Sequence, residues 1–368
     1  MSPKEEVYWL GLNMNTTITP RRFHILLGSY PSLEAVWNAP EDELENIEGF
    51  EKAAAEFCEQ RDLDRAKREF EMIKNKGLSI LTLDKEKYPD PLRTLEYPPP
   101  VLYLKGNYCD EDQFGISIVG TRKFSDYGRY MAKKIAGELV QAGFTVISGM
   151  ARGIDTFAHR ASIEAEGRTI AVLGTGFNHI YPSSNISLMR KIADQGAVLS
   201  EFHLDHGPAK WTFPQRNRII SGLSRGTVVV EAPAQSGALI TARSALEQGR
   251  EVFAVPGDTR RDSVRGTHAL IKDGAKLVEG GRDVVEEFGD LEPELDFGDE
   301  SQSEEEVLAG LSSAQKQVYE QLEYEPKHFN ELVSDTGFPP ARLSHIMFQL
   351  QMEDLASRIE GNRWVKPK

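Results

Sequence analysis

Between Gly115 and Gly281 the chain repeats one pattern with little variation. A short run of β-branched and other apolar residues leads into a small-residue turn, and most of these runs are separated by about 10–18 residues with apolar side chains at helical spacing. The runs are "ISIVG", "FTVIS", "TIAVLG", "AVLSE", "TVVVEA", "EVFAVP" and "KLVEG"; the intervening helices include "YGRYMAKKIAGELVQAG" and "ALITARSALEQGR". None of the runs alternates apolar with polar. A strand that is apolar on both faces needs both faces covered, and strands that alternate with helices supply that cover themselves. The pattern predicts an α/β fold: a doubly wound parallel sheet of seven strands with helices on either side.

The flanks differ in kind. Residues 1–75 carry helical periodicity in "PRRFHILLGSY", "SLEAVWNAPEDELENI" and "EKAAAEFCEQRDLDRAKREFEMIKNKG", broken by Gly, Pro and Asn. "NIEGFEKAAAEF" has the outline of a helix-hairpin-helix, with one glycine where a good match has two, so a structural role is expected there before direct DNA contact. "LSILTL" (78–83) and "VLYLKG" (101–106) are further short strand candidates, joined through the rigid "YPPP". Residues 286–308 hold 11 acids and no base, and are expected to be a disordered linker. Residues 309–368 offer three helices and then "ASRIEGNRWVKP", a hairpin with Gly361 and Asn362 at its turn, which suggests a winged helix. The expected domains are therefore 1–75 (helical), 76–285 (α/β), 286–308 (linker) and 309–368 (winged helix).

Charge is distributed along the same boundaries. The net charge of −14 argues against an anionic ligand only as an average, because residues 115–285 contain 22 Lys and Arg against 16 Asp and Glu. The middle is basic and the flanks are acidic, which suits an anionic ligand for the middle domain. Two cysteines, Cys58 and Cys109, lie in no metal-binding or disulfide pattern, so a cytoplasmic setting without metal or other cofactor is expected. No apolar run is long enough to span a bilayer, and the N-terminus has no signal-peptide pattern.

Open parallel sheets bind ligands at the carboxyl ends of their strands, near the point where strand order reverses. "GTRKFSDYG" follows the first run: Gly120 and Thr121 make the turn and Arg122 adds a guanidinium beside a helix N-terminus. "SGMARGIDTFAHR" follows the second, with Ser148, Gly149 and Arg152. "WTFPQRNRIISGLS" follows the fourth, with Phe213, Pro214, Arg216, Asn217 and Arg218. "EAPAQSGALITA" follows the fifth, with Ser236 and Gly237 at a helix start. Glycine and serine suit any tight strand-to-helix turn. Four arginines converging on one sheet edge repel one another and the helix dipoles, and call for an anion, part of which the nearby Asp126, Asp155 and Glu231 can supply. The dinucleotide fingerprint G-x-G-x-x-G is absent, as is the Walker pattern, and His159, His179, His203 and His206 are scattered. No residue stands as a general base over a nucleophile, so no catalytic site is expected.

These motifs in this order resemble the DNA-processing protein A (DprA/Smf) family. "SIVGTRKFSDYG", "VISGMARGIDTFAHRASIEAEGRTIAVLGTG", "YPSSN", "FPQRNRIISGLS", "VVVEAPAQSGALITARSALEQGREVFAVPG" and "RGTHALIKDGAKLV" carry the likeness, from about residue 78 to about 285. The resemblance implies an extended Rossmann-like domain, an N-terminal helical domain of SAM or helix-hairpin-helix type and a C-terminal winged helix. It implies a homodimeric single-stranded DNA-binding protein, not an enzyme, that protects incoming strands during natural transformation and loads the recombinase RecA onto them. Its phosphate-gripping residues would fall on Arg122, on Phe213, Pro214, Arg216, Asn217 and Arg218, and on the Ser-Gly pairs Ser148–Gly149 and Ser236–Gly237. Two features depart from the family's pattern. "YPSSN" carries Ser183 and Ser184 where a basic residue is frequent, so one phosphate contact is either lost or supplied by Lys191 or Lys210. The recognition helix "PARLSHIMFQLQMEDL" offers only Arg342 and His345 against Glu353 and Asp354, so a protein partner suits it at least as well as duplex DNA. Base stacking has candidates in Phe213, Trp211, Phe177 and Tyr181. The alternative reading is a nucleoside-monophosphate phosphoribohydrolase of the cytokinin-activating (LOG) type. That family's Pro-Gly-Gly-x-Gly-Thr loop is replaced here by "APAQSGALITA".

Overall fold

The computed structural model describes residues 3–289, 311–323, 327–352, 355–359 and 362–366. Most of the expected acidic linker, Gly361 of the expected hairpin turn, and Glu353 and Asp354 lie outside the described residues. Residues Met1–Leu295 make one compact unit and Asp296–Lys368 a second.

The first unit begins with six helices, α1 (Pro3–Met14), α2 (Pro20–Ser29), α3 (Leu33–Asn38), α4 (Glu41–Glu45), α5 (Ala54–Glu59) and α6 (Leu63–Asn75). Their starts follow from local chemistry: Thr19, Ser32 and Asp62 each cap a helix by accepting the amide three residues on. The segment between α4 and α5 is a hairpin turning at Gly49, whose φ of 82° is left-handed. Its geometry matches the sequence outline, but the Gly49 amide is already taken by the Glu51 carboxylate at 3.1 Å. An amide so occupied, among acidic neighbours, is poorly placed to hold a phosphate.

Nine strands form one sheet. β1 (Ser79–Thr82) and β2 (Val101–Gly106), with α7 (Asp90–Arg93) between them, precede the seven runs singled out above: β3 (Gly115–Val119), β4 (Thr145–Ser148), β5 (Thr169–Leu173), β6 (Ala197–Ser200), β7 (Gly226–Val229), β8 (Glu251–Ala254) and β9 (Lys276–Leu277). The order is β1-β2-β6-β5-β4-β3-β7-β8-β9. β3 to β9 pair in parallel, with Ile118 opposite Val228 and Ile147 opposite Ile170. The sequence pattern accounted for seven of these strands. The other two pair antiparallel, β2 against β6 and β1 against β2, so the sheet is mixed. They cover the hydrogen-bonding edge that β6 would otherwise leave open.

The apolar runs divide between two cores as their period of two requires. Ile116, Ile118, Val146 and Val228 face α8 (Asp126–Gln141) and α9 (Ile154–Glu164), while Val119, Ile147, Ile170 and Val172 face α11 (Thr212–Gly222) and α12 (Gly237–Glu247). α10 (Ile186–Gln195) packs beside Ala171, Leu173 and Val198. The N-terminal helices bury Leu10, Leu12, Phe23, Leu26, Phe50 and Phe57 in a third core, which also contains Ile80, Val101, Tyr103 and Leu204 of the sheet unit. Glu69 on α6 spans that boundary. It is buried and accepts the Leu204 amide at 2.7 Å, and burial pushes its carboxyl above the usual range.

The second unit holds helices Ser313–Gln321, Phe329–Thr336 and Pro340–Met352 and a three-stranded sheet of Lys327–His328, Arg363–Val365 and Ser357–Ile359, in the order first, last, middle along the chain. Three helices with a terminal hairpin are the winged-helix arrangement. Leu311, Val318, Leu332, Leu343, Met347, Leu350 and Trp364 form its core. The helix Pro340–Met352 leaves Phe348 60% exposed, and Arg342 lies over the Phe338 ring at 4.6 Å.

Candidate functional site

Strand order reverses between β3 and β7, whose crossovers run to opposite sides of the sheet. A cleft of about 300 Å³ opens there, at the carboxyl ends of the strands. Three loops and the start of α11 build it.

The loop after β3 is fixed by its neighbours. The Thr121 amide donates to the Glu231 carbonyl at 2.7 Å, and the Glu231 carboxylate accepts both the amide (2.9 Å) and the hydroxyl (3.1 Å) of Ser125. Ser125 in turn caps α8 through the Gly128 amide at 3.0 Å. Glu231, at the end of β7, therefore holds the turn at both ends, and Gly128 is small because any Cβ would strike that carboxylate. Between the anchors, Arg122 and Lys123 are exposed at the cleft. Gly153 closes the loop after β4 at φ 89°, where a Cβ would collide with the Thr121 carbonyl oxygen and come within 2.9 Å of the Arg122 Cα.

Arg216 forms the floor. It is 4% exposed, and its guanidinium lies flat over Gly149, where a Cβ would sit 2.6–2.7 Å from it. It donates to the Gly149 carbonyl at 2.6 Å, to the Val172 carbonyl and, through Nε, to Asn217 Oδ1 at 3.2 Å. Burial lowers its pKa to about 10, with Arg122 adding to the fall and Asp155 opposing it, so it stays charged at neutral pH. Asp155 lines the same cleft. Burial raises its carboxyl pKa, while Arg216, the Ala151 amide and Arg122 pull the other way. The charge exposed to a ligand is positive, because one acid faces Arg122, Lys123 and Arg216.

Aromatic surface borders this charge. Phe213 packs on Gly174, sits 5.6 Å from the Arg122 guanidinium and lies 5.7 Å from the ring of Tyr181, which is 47% exposed. On the opposite wall Ser236 caps α12 through the Ala238 amide at 3.3 Å, and Gly237 is exposed with open space around it. The positive end of an 11-residue helix thus faces the cleft.

Of the residues marked by sequence, Gly120, Thr121, Arg122, Phe213, Pro214, Arg216, Asn217, Ser236 and Gly237 line this cleft. Gly149 lies beneath it as the acceptor for Arg216. Three fall elsewhere. Ser148 turns its hydroxyl inward to the Ile118 carbonyl at 2.6 Å. Arg218 points to the far side of α11, paired with Glu201 and donating to the Tyr97 carbonyl at 3.2 Å. Arg152 is exposed in its loop but does not line the cleft. The sequence reading missed Lys123 and Gln235 as lining residues and Glu231 as the loop anchor. Lys123 stood beside Arg122 in the same motif; the role of Glu231 depends on a contact 106 residues away in sequence, which no local signal carries. Of the stacking candidates, Tyr181 and Trp211 are exposed, Phe213 is half-buried and Phe177 packs into the cores. Asn185 of "YPSSN" is buried and donates to the Met150 carbonyl and Thr156 hydroxyl, while Ser183, Ser184, Lys191 and Lys210 are exposed.

Comparison with known proteins agrees across sequence and fold. Residues 79–289 match the family model described as DNA recombination-mediator protein A, and residues 302–362 match the DprA winged helix domain. The chain is 33% identical to Protein Smf of Synechocystis sp. over 99% of both chains. It is 43% identical to DNA processing protein DprA of Bacillus subtilis, over 58% of this chain and 73% of the relative. Among solved structures, DprA of Streptococcus pneumoniae superposes with a TM-score of 0.68 at 35% identity, covering 77% of this chain and 97% of that one. DNA processing protein A of Helicobacter pylori, described in terms of its single-stranded DNA binding mode, gives 0.52 at 27% identity, covering 58% and 96%. Among the described residues no helix is long and apolar enough to cross a membrane.

Proposed function

The chain belongs to the DNA recombination-mediator protein A (DprA/Smf) family, and from that premise we propose that its switch-point cleft binds single-stranded DNA by the phosphate backbone. In this reading a homodimer protects incoming strands and delivers them to RecA in natural transformation and recombination, with no chemical step on the DNA. One observation carries the DNA-binding part: Arg122, Lys123, the buried Arg216 and the N-terminus of α12 meet in one cleft beside the Phe213 and Tyr181 rings. Cations and helix-end amides recognise phosphate whatever the sequence, and exposed rings stack on any unpaired base. A duplex keeps its bases stacked inside and cannot use those rings.

The test is a gel shift with single- and double-stranded oligonucleotides at two salt concentrations, with Arg122→Ala alongside. Arg122 is exposed, so its removal leaves the fold intact. The expected result is preference for single strands, weakened by salt and by Arg122→Ala to a similar degree for different sequences. Equal affinity for duplex and single strand, indifferent to Arg122→Ala, overturns the reading.

A further inference from the structure

α11 is a wall between two pockets. Phe213, Pro214, Arg216, Asn217 and Ile220 of the helix line the cationic cleft, while Trp211 at its N-cap and Gln215, four residues apart, line a second pocket of about 220 Å³. The N-terminal helices supply the other side of that second pocket, through Asn13, Thr16, Thr19 and Phe23.

The chemistry of the two pockets is opposite. Among the described residues the second has no lysine or arginine in its lining, and its one carboxylate, Glu201, is engaged by Arg218 and by the Gln215 amide at 3.1 Å. Burial lowers the pKa of His203, in its wall, to about 4, so that imidazole is neutral near pH 7. What remains is aromatic. Trp211 is 57% exposed, with the Phe202 ring at 5.9 Å and the His206 ring at 5.4 Å, both edge-on. An aromatic pocket without lysine or arginine repays no phosphate, yet it lies one helix face from a cleft built for phosphates.

We propose that this pocket is a second subsite for the same single strand, taking a nucleobase against Trp211 while the neighbouring phosphates lie in the Arg122 cleft. The inference rests on the single-strand reading above. It gives the N-terminal helices a part in binding that does not use the helix-hairpin-helix amides: they form the back of a base pocket. The strand crosses the N-terminal turn of α11, with Phe213 on one side and Trp211 on the other.

The protein carries its own probe. Trp9, Trp37 and Trp364 are buried at 3%, 7% and 6% exposure, so quenching of tryptophan emission by an oligonucleotide reports Trp211. The full chain is titrated with oligo-dT of increasing length, with binding read independently by anisotropy of a labelled strand. The expected result is quenching that tracks binding. Trp211→Ala should remove the quench and weaken longer strands roughly tenfold, the scale of one lost base stack, while a strand short enough to fill only the first cleft binds as before. Trp211→Phe, which keeps a ring, should retain most of the affinity. Binding without quenching, or Trp211→Ala unchanged at every length while Arg122→Ala is weakened, overturns the second subsite and leaves the phosphate cleft standing. Failure of the unaltered protein to bind oligo-dT overturns both.

Discussion

Arg216 and Arg218 are two residues apart, and the helix sends them to different fates. Arg218 is held by Glu201 on the far side of α11, where it braces the fold. Arg216 is buried against two carbonyls and beside Asp155, and contributes fixed charge to the cleft floor. Exchanging Arg216 for Met removes a buried charge near Asp155 and leaves the Gly149 and Val172 carbonyls without their donor, at a cost of about 3–5 kcal/mol, checked by urea melts. Arg122 has the reverse profile. Arg122→Ala should leave stability nearly unchanged and reduce the slope of log affinity against log salt by about 0.7, the share of one phosphate contact on a single strand. His159 supplies a pH test. Its Nδ1 meets the Thr169 hydroxyl at 2.7 Å, and that hydroxyl donates to the Val146 carbonyl, so Nδ1 carries a proton. Burial lowers its pKa to about 3, against 6.5 when unfolded. The unfolded chain therefore binds a proton first, and stability present above pH 6.5 is lost as pH falls toward 3. His159→Gln should make the decline between pH 6 and pH 4 shallower by about 1.4 kcal/mol per pH unit.

At the scale of elements, the parallel strands were legible because a buried strand must be apolar on both faces, and "TIAVLG" or "TVVVEA" cannot be read otherwise. β1 and β2 were visible as strands but not as members of this sheet, because antiparallel pairing to β6 is a long-range choice. The site was legible as motifs at strand ends. Its selection within those motifs was not: the direction of a side chain on α11 follows from how the helix is rotated against the sheet, and that rotation is set by the cores. Loop glycines illustrate what a motif conceals. Gly153 reads as an ordinary turn residue, yet its positive φ and the Thr121 carbonyl beside it leave no room for a Cβ. Gly153→Ala should cost about 1–3 kcal/mol and push the Arg122 loop outward, lowering both the melting temperature and the affinity for single strands. Gly237→Ala meets open space and should change the melting temperature little.

Across the whole molecule the acidic and basic regions are separated along the chain, and Arg122, Lys123 and Arg216 of the basic region meet at the sheet edge where strand order reverses. The acidic N-terminal segment is nevertheless not an independent attachment in packing terms. Leu10, Leu12, Phe23 and Phe57 share a core with Val101 and Tyr103 of β2, and Glu69 satisfies the Leu204 amide across the same boundary. Deleting residues 1–75 would bare the outer face of β2 and leave a buried amide without its acceptor, each carrying a cost of kilocalories. The shortened chain 76–289 should therefore be recovered mainly as aggregate, or melt well below the 1–289 chain by circular dichroism. The second unit has a different balance. Its core of Val318, Leu332, Leu343, Met347, Leu350 and Trp364 is drawn wholly from within residues 311–364. Excised as 309–368 it should fold alone, with the modest stability that a domain of about 60 residues can reach, and show a cooperative thermal transition. A cooperative 76–289 chain, or a 309–368 chain without a transition, would show that covalent continuity along the sequence, rather than the sharing of apolar cores, sets the folding units of this protein.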